Sequence, residues 1–346
     1  MKRVTYISNF SKPLSSGEVE HIGEISSRNN AKHELTGILF CFNNIFYQII
    51  EGDDEKLDKV FQIIKKDERH KNLFTLDIEY DIKERAYAEW SMKTVIMDAS
   101  IDPFIQPVRS MLDALTSNHR ILEKYAPEKV LACIQAGINP LDIQFAPVNK
   151  TILFSDMFAS TIMAEVLPVE QFSRVLDTYY SIVLKSMHDH GGTIAKLTGD
   201  GLMAYFSVDA TGDAVKASVQ ALDRLNTLRK SAAPGDASRF LFAGFGITTG
   251  NMLEGNIGST EKKDYTFIGD TVNTAARLES VTREVGRFLV MDEETAMTAT
   301  DNFDIKKIED YGLKGKSKNI DLFTVNEPDL IHHFNPESFT AALRDI

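Results

Sequence analysis

Short apolar strand signals alternate with amphipathic helical ones from Val4 to Met97 and again from Val148 to Val325. Between these blocks the alternation stops: Pro103 and Pro107 break the chain, and a purely helical pattern follows. A chain of 346 residues has room for about two domains and a connector. The pattern therefore divides it into a first domain over 1–98, a helical connector and linker over 99–147, a second domain over 148–326, and a C-terminal tail over 327–346. A content of 43% hydrophobic and 25% charged residues argues against both a disordered and a fibrous chain.

The first hundred residues read as βαββαβ. Val4–Ser8 is a strand, and Ser15–Asn30 is a helix with Glu18 three positions after Ser15 as a capping box. Leu35–Phe42 and Ile45–Glu51 are strands joined by Asn43-Asn44, a two-residue hairpin signal. Asp53–Lys66 is a helix with Leu57, Val60, Phe61 and Ile64 inward, and Leu73–Tyr80 and Ser91–Met97 complete the sheet. This order suits a ferredoxin-like α+β sandwich. In the connector, Val108, Leu115 and Leu122 recur every seven residues beside Met111 and Tyr125. Two heptads fit either a helix packed on its own domain or a short dimer seam. Gly137–Pro147 reads as a linker.

The formal net charge is -12, with no Lys/Arg-rich run, which disfavours a nucleic-acid or anionic-membrane partner. The N-terminus reads as a strand without a signal-peptide apolar region, and no apolar run approaches the ~18 residues of a spanning helix. The two cysteines, Cys41 and Cys133, lie far apart. They read as thiols of a reduced, cytoplasmic protein with no disulfide framework.

In the second domain, Asp156 follows the apolar strand Thr151–Ser155, and Asp200 sits at the tip of Gly199-Asp200-Gly201. If the two strands are neighbours, two carboxylates converge at one sheet end, a donor set suited to Mg²⁺ or Mn²⁺ shared with phosphates. An Asp in such a turn also serves conformation alone. Further along, Gly269-Asp270 leads into a helical segment on which Asn273 and Arg277, four apart, share a face. A planar, permanently charged guanidinium beside an amide suits a phosphate whose charge is shifting; a solvated arginine on an amphipathic helix is the plain alternative.

Phe154-Ser155-Asp156-Met157, Lys196–Ala204 with its Gly-Asp-Gly turn, Gly255–Ser259, Gly269–Glu279 and Leu313-Lys314-Gly315-Lys316 fall in one order and spacing. Over roughly 148–326 this resembles the class III nucleotide cyclases. The resemblance implies a domain with a central, mostly antiparallel sheet and flanking helices. It implies that Asp156 and Asp200 bind two metal ions, with the Met157 carbonyl as a further ligand, and that Asn273 and Arg277 orient the ribose and stabilise the transition state. Lys314 is the implied holder of the β- and γ-phosphates. Lys196 and Thr266 resemble the adenine-selecting pair, with Asp264 a second candidate for base contact, so ATP is the implied substrate. The family's sites form between two catalytic domains, which implies a homodimer. One departure stands out: relatives follow the Asp-Ile step with a small residue and then an aromatic, whereas here Phe158 comes directly after Met157.

In the first domain Gln48 is a polar amide within the apolar run Ile45–Ile50, and burial there demands partners. Taken singly, Tyr6, Trp90 and Met92 read first as sheet packing. Thr5–Ser8, Asn30, Leu35–Leu39, Phe46–Gly52, Asp67–His70 and Trp90-Ser91-Met92 together resemble the BLUF family of blue-light sensors over about 1–98. The resemblance implies a bound flavin (FAD, FMN or riboflavin) between two helices, Tyr6 as electron and proton donor, Gln48 as the switching amide and Asn30 on the ring edge. Asp67 and Arg69 are implied candidates for the flavin tail. Trp90 and Met92 are implied relays. A BLUF domain followed by a cyclase on one short chain resembles the photoactivated adenylate cyclases, whose expected product is cyclic AMP.

Overall fold

The computed structural model describes residues 1–97, 105–300, 302–308, 321–325 and 336–344. The chain divides into two compact units, Met1–Asp142 and Ile143–Ile346.

The first unit is built on β1 (Lys2–Phe10), α1 (Ser16–Lys32), β2 (Thr36–Phe42), β3 (Ile45–Gly52), α2 (Asp54–Lys65), β4 (His70–Glu79) and β5 (Lys93–Ile96). Local chemistry explains the borders. Ser15 caps α1, with the reciprocal Glu18 bond in place, and Asp53 caps α2 through the Lys56 amide. Asn43 and Asn44 both take positive φ, 45° and 62°, the geometry of a tight hairpin turn that asparagine tolerates. The five strands are ordered β4-β1-β3-β2-β5. All neighbours are antiparallel except β2 and β5.

Two further helices, α3 (Ile105–Tyr125) and α4 (Glu128–Gln135), belong to this unit. The heptad residues do not attach α3 to the sheet. Leu112, Thr116 and His119 are buried instead, Leu112 against Ile7, Phe42 and Phe74, with the His119 ring stacked 4.1 Å from Phe74. Val108, Met111, Leu115, Leu122 and Tyr125 remain exposed. The helix therefore carries two apolar stripes, one of them covered within its own unit.

The second unit contains β6 (Ala146–Met157), α5 (Ser160–Val166), α6 (Val169–Asp189), β7 (Thr193–Leu197), β8 (Gly201–Ser207), α7 (Thr211–Ser231), β9 (Ala243–Gly258), β10 (Lys263–Ile268), α8 (Asp270–Val285), β11 (Leu289–Met291), α9 (Glu293–Ala299), β12 (Ile305–Ile308), β13 (Leu322–Val325) and α10 (Pro336–Arg344). Its eight strands run β12-β13-β11-β9-β6-β8-β7, with β10 paired to β9. Only β9 and β11 are parallel among the described pairs.

Strand alternation divides the core between the two faces of this sheet. Leu153, Leu202, Ala204 and Phe245 face α6 and α7, where Val183, Ala217 and Ala221 meet them. Ile152 and Met203 face the other way, toward Ala275 of α8. β6 starts inside the stretch that reads as a linker. Pro147 pairs with Leu253 of β9, but β8 joins only from Lys150 onward, so the proline sits where its missing N–H costs no ladder bond on the second side. The stretch expected to be a tail includes α10, whose Phe339 and Leu343 are buried in the main core.

Candidate functional site

In the first unit a cavity of about 270 Å³ lies between α1 and α2. Ile22, Ile25, Leu39, Phe46 and Val60 form apolar walls, and Tyr6, Asn30, Gln48, Asp67 and Arg69 supply polar edges. Cross-strand register makes the central pair: Tyr6 of β1 lies opposite Gln48 of β3. The Tyr6 hydroxyl donates to Gln48 Oε1, and Gln48 Nε2 donates to Met92 Sδ at 3.6 Å. Asn30 Nδ2 donates to the Ser91 carbonyl at 2.9 Å, tying α1 to the segment before β5. Burial pushes the Tyr6 phenol well above its ordinary range. Arg69 Nε donates to Asp67 Oδ1 at 2.9 Å, and the guanidinium holds that carboxyl below its ordinary pKa. Flat apolar walls with amides at one edge and an ion pair at the mouth fit a planar heteroaromatic ring with a polar tail.

Neither Trp90 nor Met92 lines the cavity; the Trp90 ring lies beneath the Lys93 ammonium at 4.2 Å and beside Tyr87. Met92 alone of this pair touches Gln48. His70, outside the expected roles, also lines the cavity. It bonds Ser8 Oγ through Nδ1 at 2.7 Å, and burial lowers its pKa to about 4.

In the second unit β6 and β8 are neighbours, and Asp156 is in register with Gly201. That pairing sets Asp200, one residue earlier, beside Asp156, and the Met157 amide donates to the Asp200 carbonyl at 3.2 Å. Gly199, at φ +87°, makes the turn. Burial and then the neighbouring Asp200 carboxylate raise the Asp156 pKa, while Arg283 opposes both. Two carboxylates and the Met157 carbonyl are hard oxygen donors, a set that fits a divalent cation that also keeps water and phosphate ligands.

Ser160 donates to Asp200 Oδ2, and Arg283 Nη2 donates to Asp156 Oδ2 at 2.7 Å. Neither donor stood out in the sequence. The only local cue to Arg283 is its i, i+4 spacing from Glu279, which it bonds at 2.8 Å. Phe158 does not enter the turn. It is buried, stacked 5.6 Å from Phe288, and Ala159 takes the left-handed conformation, φ 54°, before α5.

Asn273 and Arg277 are exposed on α8, and neither side chain has a bond to Asp156 or Asp200. At 100° per residue, Arg277 and Arg283 point about a third of a turn apart, so the face that reaches Asp156 is not the face carrying the Asn/Arg pair. Lys196 is exposed on edge strand β7, while Thr266 is buried and Asp264 exposed on β10. Their neighbours Ala195 and Phe267 pack in one cluster. Lys314 lies outside the described residues. Among the described residues no helix is long and apolar enough to cross a membrane.

Residues 1–93 match the BLUF family, "Sensors of blue-light using FAD", and residues 146–327 match "Adenylate and Guanylate cyclase catalytic domain". A solved bacterial light-regulated adenylyl cyclase is 34% identical, with 99% of each chain covered and a TM-score of 0.87. Among curated proteins, the photoactivated adenylate cyclase subunit beta of Euglena longa is 28% identical over 85% of this chain and 34% of its own length. An adenylate cyclase of Anabaena cylindrica is 30% identical over 71% of this chain and 49% of its own. The chain thus spans about a third to a half of the length of these curated relatives. With a cavity between two helices in one unit, paired aspartates at a sheet end in the other, and these matches over both, the chain belongs to the adenylate and guanylate cyclase catalytic-domain family and carries an N-terminal BLUF domain.

Proposed function

We propose that this protein is a blue-light-activated adenylate cyclase that converts ATP to 3′,5′-cyclic AMP and pyrophosphate as a homodimer. The observation that carries the reading is the pairing, on one chain, of a buried Tyr6–Gln48 bond beside a ring-sized cavity with the convergent carboxylates of Asp156 and Asp200.

In the catalytic unit Asp156, Asp200 and the Met157 carbonyl would hold two Mg²⁺ or Mn²⁺ ions, which would supply charge neutralisation of the triphosphate and activation of the ribose 3′-oxygen toward the α-phosphorus. Arg277 stabilises charge that develops on the phosphoryl oxygens, Asn273 orients the ribose, and Lys314 binds the terminal phosphates. Lys196 and Thr266 read the adenine edge as donor and hydroxyl, with Asp264 beside them. Because one chain turns Asn273 and Arg277 away from its own aspartates, the partner chain supplies them. The exposed stripe Val108–Leu115–Leu122 on α3 supports such self-association.

In the sensor unit Asn30 would hold the ring edge, and Asp67 and Arg69 the tail, of a flavin (FAD, FMN or riboflavin), which would supply blue-light absorption and an electron acceptor. Tyr6 is the donor, and Gln48 reverses or tautomerises its amide. Donor and acceptor ends of an amide differ, so the change alters the bonds at Tyr6 and Met92 together. Met92 precedes β5, which leads toward α3.

Incubating the protein with Mg-ATP or Mg-GTP, in light and in darkness, tests the reading. Cyclic AMP that rises under blue light is expected; cyclic GMP alone would favour a light-regulated guanylate cyclase. No cyclic nucleotide under any condition would leave a flavin photoreceptor with a non-catalytic interaction domain.

A further inference from the structure

Arg283 is held on three sides. Nη2 donates to Asp156 Oδ2 at 2.7 Å and lies 3.5 Å from the Met157 carbonyl oxygen. Nη1 donates to Glu279 Oε1 at 2.8 Å. The guanidinium lies over the Phe158 ring, 4.7 Å from its centroid, and Phe158 is itself braced by Phe288, which stacks on Phe242 at 5.9 Å. Gly244 makes room for this cradle: a Cβ there would lie 2.8 Å from Phe158 and 3.0 Å from Glu279 Oε1. The aromatic at position 158 is thus the platform under Arg283. The arginine is 37% exposed, so an incoming ion can reach its bonds.

None of the roles assigned to the substrate site uses this residue, and it points away from the Asn273/Arg277 face. Yet it bonds both the carboxylate and the carbonyl assigned to the metal. Two carboxylates facing each other in a half-buried turn repel, and a fixed positive charge relieves that repulsion. A divalent cation relieves it too, but then two cations share one carboxylate.

We propose that Arg283 is the resident counter-ion of Asp156, a positioning residue that holds Asp156 Oδ2 and the Met157 carbonyl before metal binds and competes with the incoming cation for Oδ2. It thereby sets the metal concentration at which the site fills. The proposal rests on the reading of Asp156 as a metal ligand.

The test is a titration of the full-length protein with Mn²⁺ alone, without nucleotide, reading free Mn²⁺ by electron paramagnetic resonance. Removing one positive charge within a few Å of a divalent ion, screened as in water, corresponds to about tenfold in affinity. Arg283→Gln is therefore expected to lower the Mn²⁺ Kd about tenfold, while Arg283→Lys, which keeps the charge, stays within about twofold of wild type. Asp156→Asn is expected to raise the Kd more than about tenfold. Weaker or unchanged Mn²⁺ binding in Arg283→Gln, with Asp156→Asn impaired, would overturn the counter-ion role and leave the metal reading standing. Unchanged binding in Asp156→Asn would overturn both. If Arg283→Gln fails to fold by circular dichroism, Phe158→Leu puts the same question. It keeps every charge but removes the ring under the guanidinium, so the Kd should fall about twofold, and no fall would overturn the proposal.

Discussion

Tyr6, Asn30 and Gln48 are 0%, 2% and 5% exposed, and each bonds within its own unit. Asn273 and Arg277, in the other unit, are exposed and have no bond to Asp156 or Asp200. The contrast teaches how each site is completed. The sensor residues are brought together by the fold of one chain. In the catalytic unit the two carboxylates and the Asn273/Arg277 pair lie on different faces, which is the ground for proposing that a second chain completes the site. On that proposal, light regulation has an obvious target, because a site split between chains responds to how the chains are held, whereas a closed one does not.

The largest effect that could break this comparison is complementation. Chains with Asp156→Ala and chains with Arg277→Ala are each expected to be inactive, down at least about a hundredfold. In verified heterodimers one interfacial site has both parts, so cyclic AMP production should return to at least about a quarter of wild type. An inactive heterodimer would mean that each chain completes its own site. On the sensor side, Tyr6→Phe removes the hydroxyl bonded to Gln48. The reversible red shift of flavin absorbance under blue light should vanish while flavin stays bound; an undiminished shift would exclude Tyr6 as the donor.

Opposite pH dependences sharpen the contrast. His70 in the sensor is held near pKa 4 by burial, below its ordinary 6.5. The unfolded chain binds the proton first, so the sensor should lose about 1–3 kcal/mol as pH falls from about 6.5 to 4. Glu279 in the catalytic unit is pushed up to about 7 by burial, against an ordinary 4.5. Here the folded chain holds the proton longer, so stability is greatest below about pH 4.5 and about 1–3 kcal/mol is lost as pH rises through 7. Urea melts read by unit-specific probes should show the two midpoints moving in opposite directions, and His70→Gln and Glu279→Gln should each flatten one trend. The smallest effect concerns Ala159, whose φ of 54° costs a side chain that glycine lacks. Ala159→Gly should stabilise the catalytic unit by about 0.5–1 kcal/mol in the same melts; a loss of stability would argue against the left-handed conformation there.

Much of both sites was legible in the chain because it rests on short-range chemistry. Gln48 stood out as an amide in an apolar strand, and the fold gives it two side-chain partners. Asp156 and Asp200 stood out at a strand end and a turn, and the antiparallel β6–β8 pairing brings them together. Arg283 did not stand out, because an arginine four residues after a glutamate on a helix reads as an ordinary surface pair. Its other partner, Asp156, is 127 residues away. Trp90 drew attention through the Trp90-Ser91-Met92 motif of the BLUF resemblance, and it faces Lys93 and Tyr87 rather than the cavity. The heptad on α3 left a packed helix and a dimer seam open, and its stripe stays exposed. Its periodicity is real, but the stripe that packs on the sheet is the neighbouring one, through Leu112 and His119.

Residue order alone accounts for the capping box at Ser15 and Glu18, the Asn43-Asn44 turn, the Gly199 turn and the alternation that gives each strand a buried face. Each depends on neighbours a few residues apart, whose geometry backbone sterics and local hydrogen bonds settle. Tertiary structure alone decides that Phe158 turns inward under Arg283, that Ser160 bonds Asp200, and that one face of α8 grips Asp156 while Asn273 and Arg277 on another are exposed. Those pairings depend on sheet register and on how a helix is rotated against it. Such long-range choices are set by the summed packing of the whole core, which no short stretch of sequence encodes.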